Sequence, residues 1–213
     1  MKVVATIYTD FSEKFGIPRQ GALAHESEGI IVFEPEYRME EALRGIEKYS
    51  HLWLLWQFSE NVSKKWSPTV RPPRLGGLTA VRLIGVEQTK NRGAVLRVAG
   101  VDLMNGTPIY DIKPYLPYAD SIPEASLGFA GEHLMDVLEV VCSDELWGKI
   151  PEDKRGALEE VLSQDPRPAY HEDETRKYGM EFSGFDIIFH VKEKVLYVDE
   201  IKKGNLTTKS KLL

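Results

Sequence analysis

The first half of the chain is a series of short apolar runs separated by turns, and this pattern limits the fold more than any other feature. The runs are four to eight residues long, which is the length of strands rather than of helices. Gly and Pro residues lie between them, and helices do not alternate with them as a βαβ repeat would require. We therefore predict an antiparallel sheet or barrel, with strands near residues 3–8, 30–33, 52–58, 79–86, 94–101 and 109–112.

One segment of this first half has helical periodicity. Between Met39 and Lys48, apolar residues recur at helical spacing while the charged residues face the other way. We predict a helix over residues 39–48 that covers an open side of the barrel.

The character of the sequence changes after Tyr118. Helical segments are predicted around residues 133–141 and 152–163, the second with one apolar stripe and with Pro151 suited to its first turn. Strands are predicted over residues 180–191 and 195–201, where β-branched and aromatic residues flank a Lys-Glu-Lys turn. We place a domain boundary near Phe129.

Composition limits location and chemistry. The 213 residues are 42% hydrophobic and 28% charged, which suffices for a full core. No apolar run approaches the ~20 residues of a membrane span and the N-terminus becomes polar too soon for a secretory signal, so we expect a cytoplasmic protein. The net charge of −6 argues against generalised nucleic-acid binding, and a polyanionic partner must therefore meet a local basic patch.

Metal and nucleotide motifs are missing from the sequence. Cys142 is the single cysteine, and its apolar run indicates a core residue rather than a nucleophile. The histidines have no metal-like spacing, so we predict no metal site. Neither a glycine-rich phosphate loop nor a Rossmann fingerprint is present, so an ordinary nucleotide fold is not indicated.

A polar cluster is predicted in the run from Thr107 to Tyr115. If this run is a strand, its period of two places Asp111, Lys113 and Tyr115 on one face. Pro114 lacks an amide hydrogen, which confines the run to a sheet edge or a strand end. An acid, a cation and a phenol in one groove suit an active site, although an exposed edge strand with an incidental salt bridge explains this run equally well.

Ligand-binding candidates occur in three further segments, and each has a structural alternative. Arg19 and Gln20 can recognise a carboxylate or an adenine edge, or can belong to a surface loop. His51 opens a strand that we expect to be buried on both faces, and such a histidine is more often structural than catalytic. Asp102 can hold a ribose hydroxyl or an amine, and it precedes an Asn105-Gly106 turn that is otherwise a tight hairpin turn.

Two basic segments are candidates for RNA contact. Arg71 and Arg74 lie among prolines and glycines in the most basic region of the chain, where the alternative is a rigid surface turn. Arg167 is expected to be an exposed cation between prolines beside Tyr170, suited to RNA or to a second subunit, and the alternative is a linker.

These motifs, in this order, resemble the TsaA/TrmO-type family of S-adenosylmethionine-dependent tRNA methyltransferases, which methylate N6 of threonylcarbamoyladenosine next to the anticodon. The matching segments are residues 14–20, 49–53, 68–77, 102–119 and 165–170. The resemblance implies a mainly β fold, with a single-sheet antiparallel β-barrel in residues 1–129 that binds the cofactor and carries catalysis, a small α+β C-terminal domain in residues 130–213, and a homodimer. By motif matching, it implies cofactor contacts at Pro18, Arg19, Gln20, His51, Leu52, Leu78, Asp102, Asn105, Gly106 and Thr107.

The chain departs from the family pattern at two places. The family usually has Asp where this chain has Asn105, and an amide can hydrogen-bond an amino group but cannot neutralise it. Members also usually carry a long Arg-rich segment after the Leu-Gly-Gly, whereas here Gly77 is followed at once by Leu78. Either this segment is deleted, or the protein contains a loop that the sequence omits; we expect the second.

Methyl transfer requires an aligned nucleophile and the removal of one proton. Asp111 and Tyr115 are the candidate bases, with Lys113 lowering a neighbour's pKa or pairing with the threonyl carboxylate of the substrate. Two rival hypotheses stay open: a non-catalytic tRNA- or cofactor-binding protein, and a methyltransferase that acts on another substrate.

Overall fold

A closed six-stranded antiparallel barrel forms the first half of the protein. The computed structural model describes residues 1–18, 21–57, 77–126, 137–167 and 173–204. The barrel strands are β1 (Ala5–Thr9), β2 (Glu28–Phe33), β3 (His51–Trp56), β4 (Gly77–Thr89), β5 (Gly93–Ala99) and β6 (Thr107–Pro114). They are hydrogen-bonded in the order β1-β2-β5-β4-β3-β6, and β6 closes the barrel on β1.

The barrel interior is filled by alternate residues of each strand. Ile7, Leu54 and Leu96 are completely buried, as are Ala5, Leu52 and Val98, each two positions away on the same strand. Because strand side chains alternate between faces, the short apolar runs of the sequence line a single interior. The prediction of a mainly β, single-sheet barrel is confirmed.

The chain passes directly from Gly77 to Leu78 inside β4. Six consecutive residues of β3 pair with six of β4, from His51 opposite Arg82 to Trp56 opposite Gly77. Gly77 and Leu78 are neighbours in this continuous ladder and in the full sequence. The expectation of an Arg-rich loop between them was therefore wrong for this chain.

Strand β6 is an interior strand of the barrel and has neighbours on both sides. It pairs with β1 and with β3, so the prediction of a sheet edge was wrong, and Pro114 takes the other permitted position at the strand end. A β-bulge at Tyr110 shifts the register between the pairs Leu55–Asp111 and Trp56–Ile109. The extra residue changes the face of the strand, so Asp111 points outward although Ile109, two residues earlier, is buried.

The predicted helix over residues 39–48 is divided into two short pieces. Helix α1 covers Glu40–Leu43, and a 3₁₀ turn covers Ile46–Lys48. Gly45 lies between them with a φ of +86°, a left-handed conformation that ends the first piece. Leu43 and Ile46 nevertheless pack against the barrel core, as the apolar stripe predicted.

The C-terminal half is a four-stranded sheet covered by a helix. After helix α2 (Pro117–Asp120), the order is β7 (Glu139–Val141), α3 (Asp144–Trp147), α4 (Glu152–Ser163), β8 (Tyr178–Phe182), β9 (Phe185–Lys192) and β10 (Val195–Lys203). The sheet order is β7-β10-β9-β8, and β7 is parallel to β10. The predicted apolar stripe of α4, comprising Ala157, Leu158, Val161 and Leu162, is buried and packs on this sheet.

Two predicted elements of this half were wrong in type or extent. Residues 139–141 form strand β7 rather than the end of a helix, and residues 127–136 are outside the described part of the chain. The single strand predicted over residues 180–191 is two strands, β8 and β9, because Ser183 and Gly184 turn the chain with positive φ values. The boundary near Phe129 also lies outside the described residues and stays a prediction.

The segment after β1 connects the two halves. Phe11 is buried in the C-terminal core and contacts Phe182 edge to face, with ring centroids 5.8 Å apart. The Lys154 ammonium at the start of α4 lies 2.7 Å from the carboxylate of the buried Asp10. Across all described residues, no helix is long and apolar enough to cross a membrane.

Candidate functional site

Asp102 is a half-buried carboxylate at one end of the barrel. We call this the upper end; it is marked by the last residues of β1 and β3 and the first residues of β4 and β6. The backbone N–H of Gly21 donates to Asp102 Oδ2 at 3.0 Å. Its other oxygen, Oδ1, is shielded from solvent and has no hydrogen-bond partner in the described structure. Burial raises the pKa of Asp102, while hydrogen bonds from Thr79 and Gly21 oppose this shift.

The Asn105-Gly106 turn is anchored to β1 at the same end. The Asn105 N–H donates to the Phe11 carbonyl at 2.7 Å, and the Gly106 N–H donates to the Ile7 carbonyl at 2.9 Å. The side-chain oxygen of Asn105 accepts the Thr9 N–H at 3.2 Å. Gly106 has a φ of +82° and open space where a side chain would be, so a ligand can approach its backbone closely.

A cleft of about 550 Å³ opens beside this turn, between the barrel and the C-terminal sheet. Its volume is that of a site for a whole small ligand. In one wall of the cleft, Arg97 forms ion pairs with Glu28 at 2.7 Å and with Glu87 at 3.2 Å. The ion pair between Lys154 and Asp10 forms another part of the cleft wall. Carboxylates outnumber cations in the lining, so the cleft favours a cationic ligand.

Aromatic and charged side chains meet at the lower end of the barrel, where β3 begins and β6 ends. The Tyr115 ring contacts the rings of Trp53 and His51, with centroid distances of 5.3 Å and 6.3 Å. The Lys113 ammonium lies 2.7 Å from Asp120 Oδ1 and 2.9 Å from Oδ2. We call His51, Trp53, Lys113 and Tyr115 the lower cluster.

Asp120 holds Lys113 in place within the lower cluster. Hydrogen bonding from Lys113, followed by the N–H of Leu116, lowers the pKa of Asp120. Asp111 is exposed on the same outer face, and its Oδ1 accepts the N–H of Ile112 at 2.9 Å. The predicted shared face of Asp111 and Lys113 is therefore present.

The structure separates the predicted cofactor contacts. Leu78, Asp102 and the Asn105–Thr107 turn lie toward the upper end, whereas His51 lies at the lower end. Pro18 lines a small pocket beside the end of α4. Lys113 lies six positions after Thr107 along β6, which corresponds to ~20 Å. Leu52 is completely buried inside the barrel, so only its backbone can contact a ligand. His51 is exposed, and the expectation that β3 is buried on both faces was wrong.

Arg167 is engaged within its own loop. Its Nε and Nη2 atoms donate to the two carboxylate oxygens of Asp165, each at 2.8 Å. This ion pair raises the pKa of Arg167, and only 16% of the side chain is exposed, so the expectation of an exposed cation was wrong. Five other predicted contact residues lie outside the described residues. They are the candidate RNA contacts Arg71, Arg74 and Tyr170, and the candidate cofactor contacts Arg19 and Gln20, which follow Pro18.

Sequence reasoning missed three residues that shape these sites. Thr79 hydrogen-bonds Asp102 and accepts the Trp56 Nε1–H at 3.0 Å. Trp53 belongs to the lower cluster, and Asp120 binds its Lys113. Trp and Asp residues were visible in the segments selected from the sequence. Which side chains contact each other depends on the register of the barrel strands, which the sequence does not show. No group of three potential metal ligands occurs in the ranges that the structure describes. Burial raises the pKa of the Cys142 thiol.

Comparison with known proteins identifies the family of both halves. The model of the tRNA-methyltransferase O N-terminal domain matches residues 6–80 and 76–121, and the TrmO C-terminal domain matches residues 139–204. The two N-terminal matches overlap at residues 76–80, where Gly77 joins Leu78. This overlap coincides with the position of the Arg-rich segment that the chain lacks.

Curated relatives and solved structures agree with these matches. A tRNA (adenine(37)-N6)-methyltransferase of Escherichia coli K12 is 33% identical over 214 residues, covering 88% of this chain and 91% of the relative. The Eikenella corrodens protein of the same name is 34% identical and covers 72% of this chain and 97% of its own length. A Pseudomonas aeruginosa relative, named as a candidate S-adenosylmethionine-dependent methyltransferase, is 34% identical and covers 88% of this chain and 90% of its own length.

A crystal structure of TrmO from Pseudomonas aeruginosa superposes with a TM-score of 0.78 at 32% identity, covering 96% of this chain and 97% of that one. The similarity thus extends over the barrel and the C-terminal sheet together. The chain belongs to the tRNA-methyltransferase O family.

Proposed function

We propose that this protein is a cytoplasmic, homodimeric methyltransferase that transfers a methyl group from S-adenosylmethionine to N6 of threonylcarbamoyladenosine next to the anticodon of tRNA. The observation that carries the proposal is the match of both family domains along one chain, together with two similar relatives named tRNA (adenine(37)-N6)-methyltransferase.

The upper end of the barrel suits the cofactor. The unpaired oxygen of Asp102 is a ready acceptor for a ribose hydroxyl or an amino group, and an unpaired buried acceptor gains most from such a partner. The cofactor carries a positive sulfonium and an amino group, which the carboxylate-rich cleft attracts. Pro18, Leu78 and the Asn105–Thr107 turn complete this proposed site, together with Arg19 and Gln20. His51 and the backbone of Leu52 lie at the lower end and contact the cofactor from a second copy of the chain.

The lower cluster suits the substrate. S-adenosylmethionine supplies a methyl group that is already activated, so the protein has to align the nucleophile and accept one proton. The target nitrogen lies between adenine and a carbonyl, which makes its proton acidic enough for a side-chain base. Asp111 or Tyr115 takes this proton, and Lys113, held by Asp120, pairs with the threonyl carboxylate. Phosphate contacts fall to Arg71, Arg74 and Tyr170, because Asp165 already binds the guanidinium of Arg167.

The proposed homodimer can bring the cofactor site at the upper end of one copy close to the lower cluster of the other copy. Reacting atoms must approach to ~3 Å, whereas Thr107 and Lys113 of one chain are ~20 Å apart along β6. A cofactor at the upper end of one copy therefore has to face the lower cluster of the second copy. The site is incomplete in a single chain under this arrangement.

Methyl transfer to threonylcarbamoylated and unmodified tRNA tests the function. We expect transfer only to the modified tRNA, and Asp111→Asn, Lys113→Met and Tyr115→Phe should each keep the parental fold within about 1 kcal/mol. Loss of the base lowers the rate by ~10²–10⁴-fold. Equal transfer to both tRNAs would indicate a methyltransferase with another substrate, and parental rates in all three variants would exclude the lower cluster.

Mixing two variants that are each impaired in one half of the site tests the shared site, at a cofactor concentration too low to saturate Asp102→Asn. Refolding Asp102→Asn together with Lys113→Met creates mixed dimers in which one of the two sites has both intact halves. Recovery of about a quarter of the parental activity is expected from random pairing. If mixing restores no activity, each site belongs to one chain, and the lower cluster does not serve the cofactor end.

The junction of Gly77 with Leu78 favours a second candidate function. The missing Arg-rich segment is expected from the family resemblance to supply cofactor and tRNA contacts, and its loss suits a non-catalytic protein that binds the cofactor or tRNA. Binding of S-adenosylmethionine or tRNA without any methyl transfer, at high enzyme concentration and long incubation, would establish this candidate over the enzyme.

A further inference from the structure

Helix α4 of the C-terminal half is hydrogen-bonded to a turn of the barrel half. Gln164, the residue that follows the helix, donates from Nε2 to the Leu23 carbonyl at 2.7 Å. Glu160, one turn earlier, accepts the N–H of Glu26 with Oε2 at 2.8 Å. Both bonds run from side chains at α4 to the backbone of residues 21–27, which we call the clamped turn. The C-terminal half therefore holds this barrel segment at two points.

The clamped turn depends on the rest of the protein for its position. Its regular part is one 3₁₀ turn, Gly21–Leu23, closed by the Ala24 N–H on the Gly21 carbonyl at 3.0 Å. A single helical turn is too short to be stable in isolation. The Leu23 side chain is 42% exposed, so its burial contributes little. The two bonds from α4 are therefore well placed to fix where the turn lies.

The other side of the clamped turn lies against Asp102. The Gly21 N–H donates to Asp102 Oδ2 at 3.0 Å, and the Ser27 carbonyl accepts the Val101 N–H at 3.2 Å. A side-chain carbon at position 21 would collide with the carbonyl oxygen of Gly100, so the two backbones are in direct contact. A shift of the clamped turn therefore disturbs the hydrogen bond that holds Asp102.

We propose that Glu160 and Gln164 are positioning residues for the cofactor site. Through the clamped turn they hold the Gly21 N–H against Asp102 Oδ2, which keeps Oδ1 directed at the ligand. The C-terminal half thereby sets the affinity of the barrel for S-adenosylmethionine. The inference rests on the proposed function, because Asp102 is assigned there to the cofactor. Glu160 and Gln164 act through Gly21 and do not touch the reacting atoms.

Two replacements of Glu160 form a matched pair of variants. Glu160→Gln keeps an oxygen that can accept the Glu26 N–H, whereas Glu160→Met has a similar length and no such acceptor. Gln164→Met removes the donor to Leu23 in the same way. Glu159→Met changes the neighbouring, exposed residue of α4 and serves as the control.

The pKa of Asp102, measured by NMR titration of its carboxyl carbon without any ligand, is the first readout. The Gly21 hydrogen bond opposes the rise in this pKa that burial causes. Its loss in Glu160→Met and in Gln164→Met should therefore raise the pKa further, by about half a unit, while Glu160→Gln and the control keep the parental value. A merely structural role of the two side chains would leave this pKa unchanged in the folded protein.

Affinity for S-adenosylmethionine is the second readout. Both methionine variants at positions 160 and 164 should raise its Kd and KM about three- to tenfold, with kcat at saturating cofactor unchanged, and Glu160→Gln should restore parental values. A parental pKa of Asp102 in both variants, or a parental Kd in both, overturns the proposal. If the parent binds no S-adenosylmethionine, the proposed function fails, whereas the pKa of Asp102 still decides whether α4 positions this carboxylate. If one methionine variant does not fold, the other decides alone.

Discussion

Replacing Asp102 by Asn should show whether the carboxylate stabilises the fold or binds the cofactor. The amide oxygen can still accept the Gly21 N–H, which is the bond that Oδ2 makes now. The buried charge disappears, and the free energy of unfolding at pH 7 should therefore be unchanged or higher, by at most about 1–2 kcal/mol. The amide nitrogen then occupies the position of Oδ1 and presents donors where a ligand donor has to bind.

The same change should weaken binding of S-adenosylmethionine. A hydrogen bond to a charged group contributes ~1.5–3 kcal/mol, so calorimetry should show an affinity lower by roughly 10- to 100-fold. Unaltered affinity would show that Oδ1 does not face the cofactor. A loss of stability of more than about 2 kcal/mol would show instead that the carboxylate is needed by the fold.

The pH dependence of stability supplies an independent check of Asp102. Burial raises its pKa in the folded state, so folding favours the protonated form, and the parental protein loses stability as the pH rises from the unfolded value of ~3.9 through the folded value. The advantage of Asp102→Asn over the parent should therefore grow across this window and then level off. Asp173 is the control, because the hydroxyl and N–H of Thr175 lower its pKa, and Asp173→Asn should show the opposite trend.

Two further predictions concern the segment that joins the halves. Gly16→Ala should lower the free energy of unfolding in urea by about 2 kcal/mol, against about 1 kcal/mol for Gly45→Ala. Both glycines have a φ of +86°, but a side-chain carbon at position 16 would lie 2.5 Å from the Met180 methyl, whereas position 45 is open. Equal costs for the two variants would refute the packing argument. Asp10→Asn leaves Lys154 without its partner and should lower stability by about 1–3 kcal/mol, whereas Asp10→Asn in a Lys154→Met background should cost clearly less; equal costs in both backgrounds would show that the ion pair is not coupled.

The strands were predictable because each carries its own apolar pattern. Ala5, Ile7, Leu52 and Leu54 alternate with more exposed neighbours, and this local signal determined where strands lie. Barrel closure is a long-range property, so the sequence could not show that β6 pairs on both sides, and Pro114 suggested an edge. Strand β7 was mistaken for helix for the same reason, since three residues owe their conformation to pairing with β10.

The candidate site was predictable as segments and not as an assembly. The outward face of Asp111 and Lys113 followed from strand periodicity, but the bulge at Tyr110 sets which residues share it. Motif matching grouped His51 with the Asn105–Thr107 turn, although the barrel places them at opposite ends. Arg167 was the avoidable error, because Asp165 lies two residues earlier and an Asp that close is an obvious partner for a guanidinium.

The direct joining of Gly77 to Leu78 shows that the barrel forms without the Arg-rich segment, whatever that segment contributes to activity. The ladder between β3 and β4 is unbroken from His51 to Trp56, so barrel closure does not need the Arg-rich segment. A segment that the fold does not need is expected in relatives because it serves a ligand, and its loss removes cations from a chain whose net charge is already −6. The acidic cleft keeps the features that suit a cationic cofactor, so the loss should affect tRNA binding more than cofactor binding. Measuring the two affinities separately is therefore more informative for this protein than measuring turnover alone.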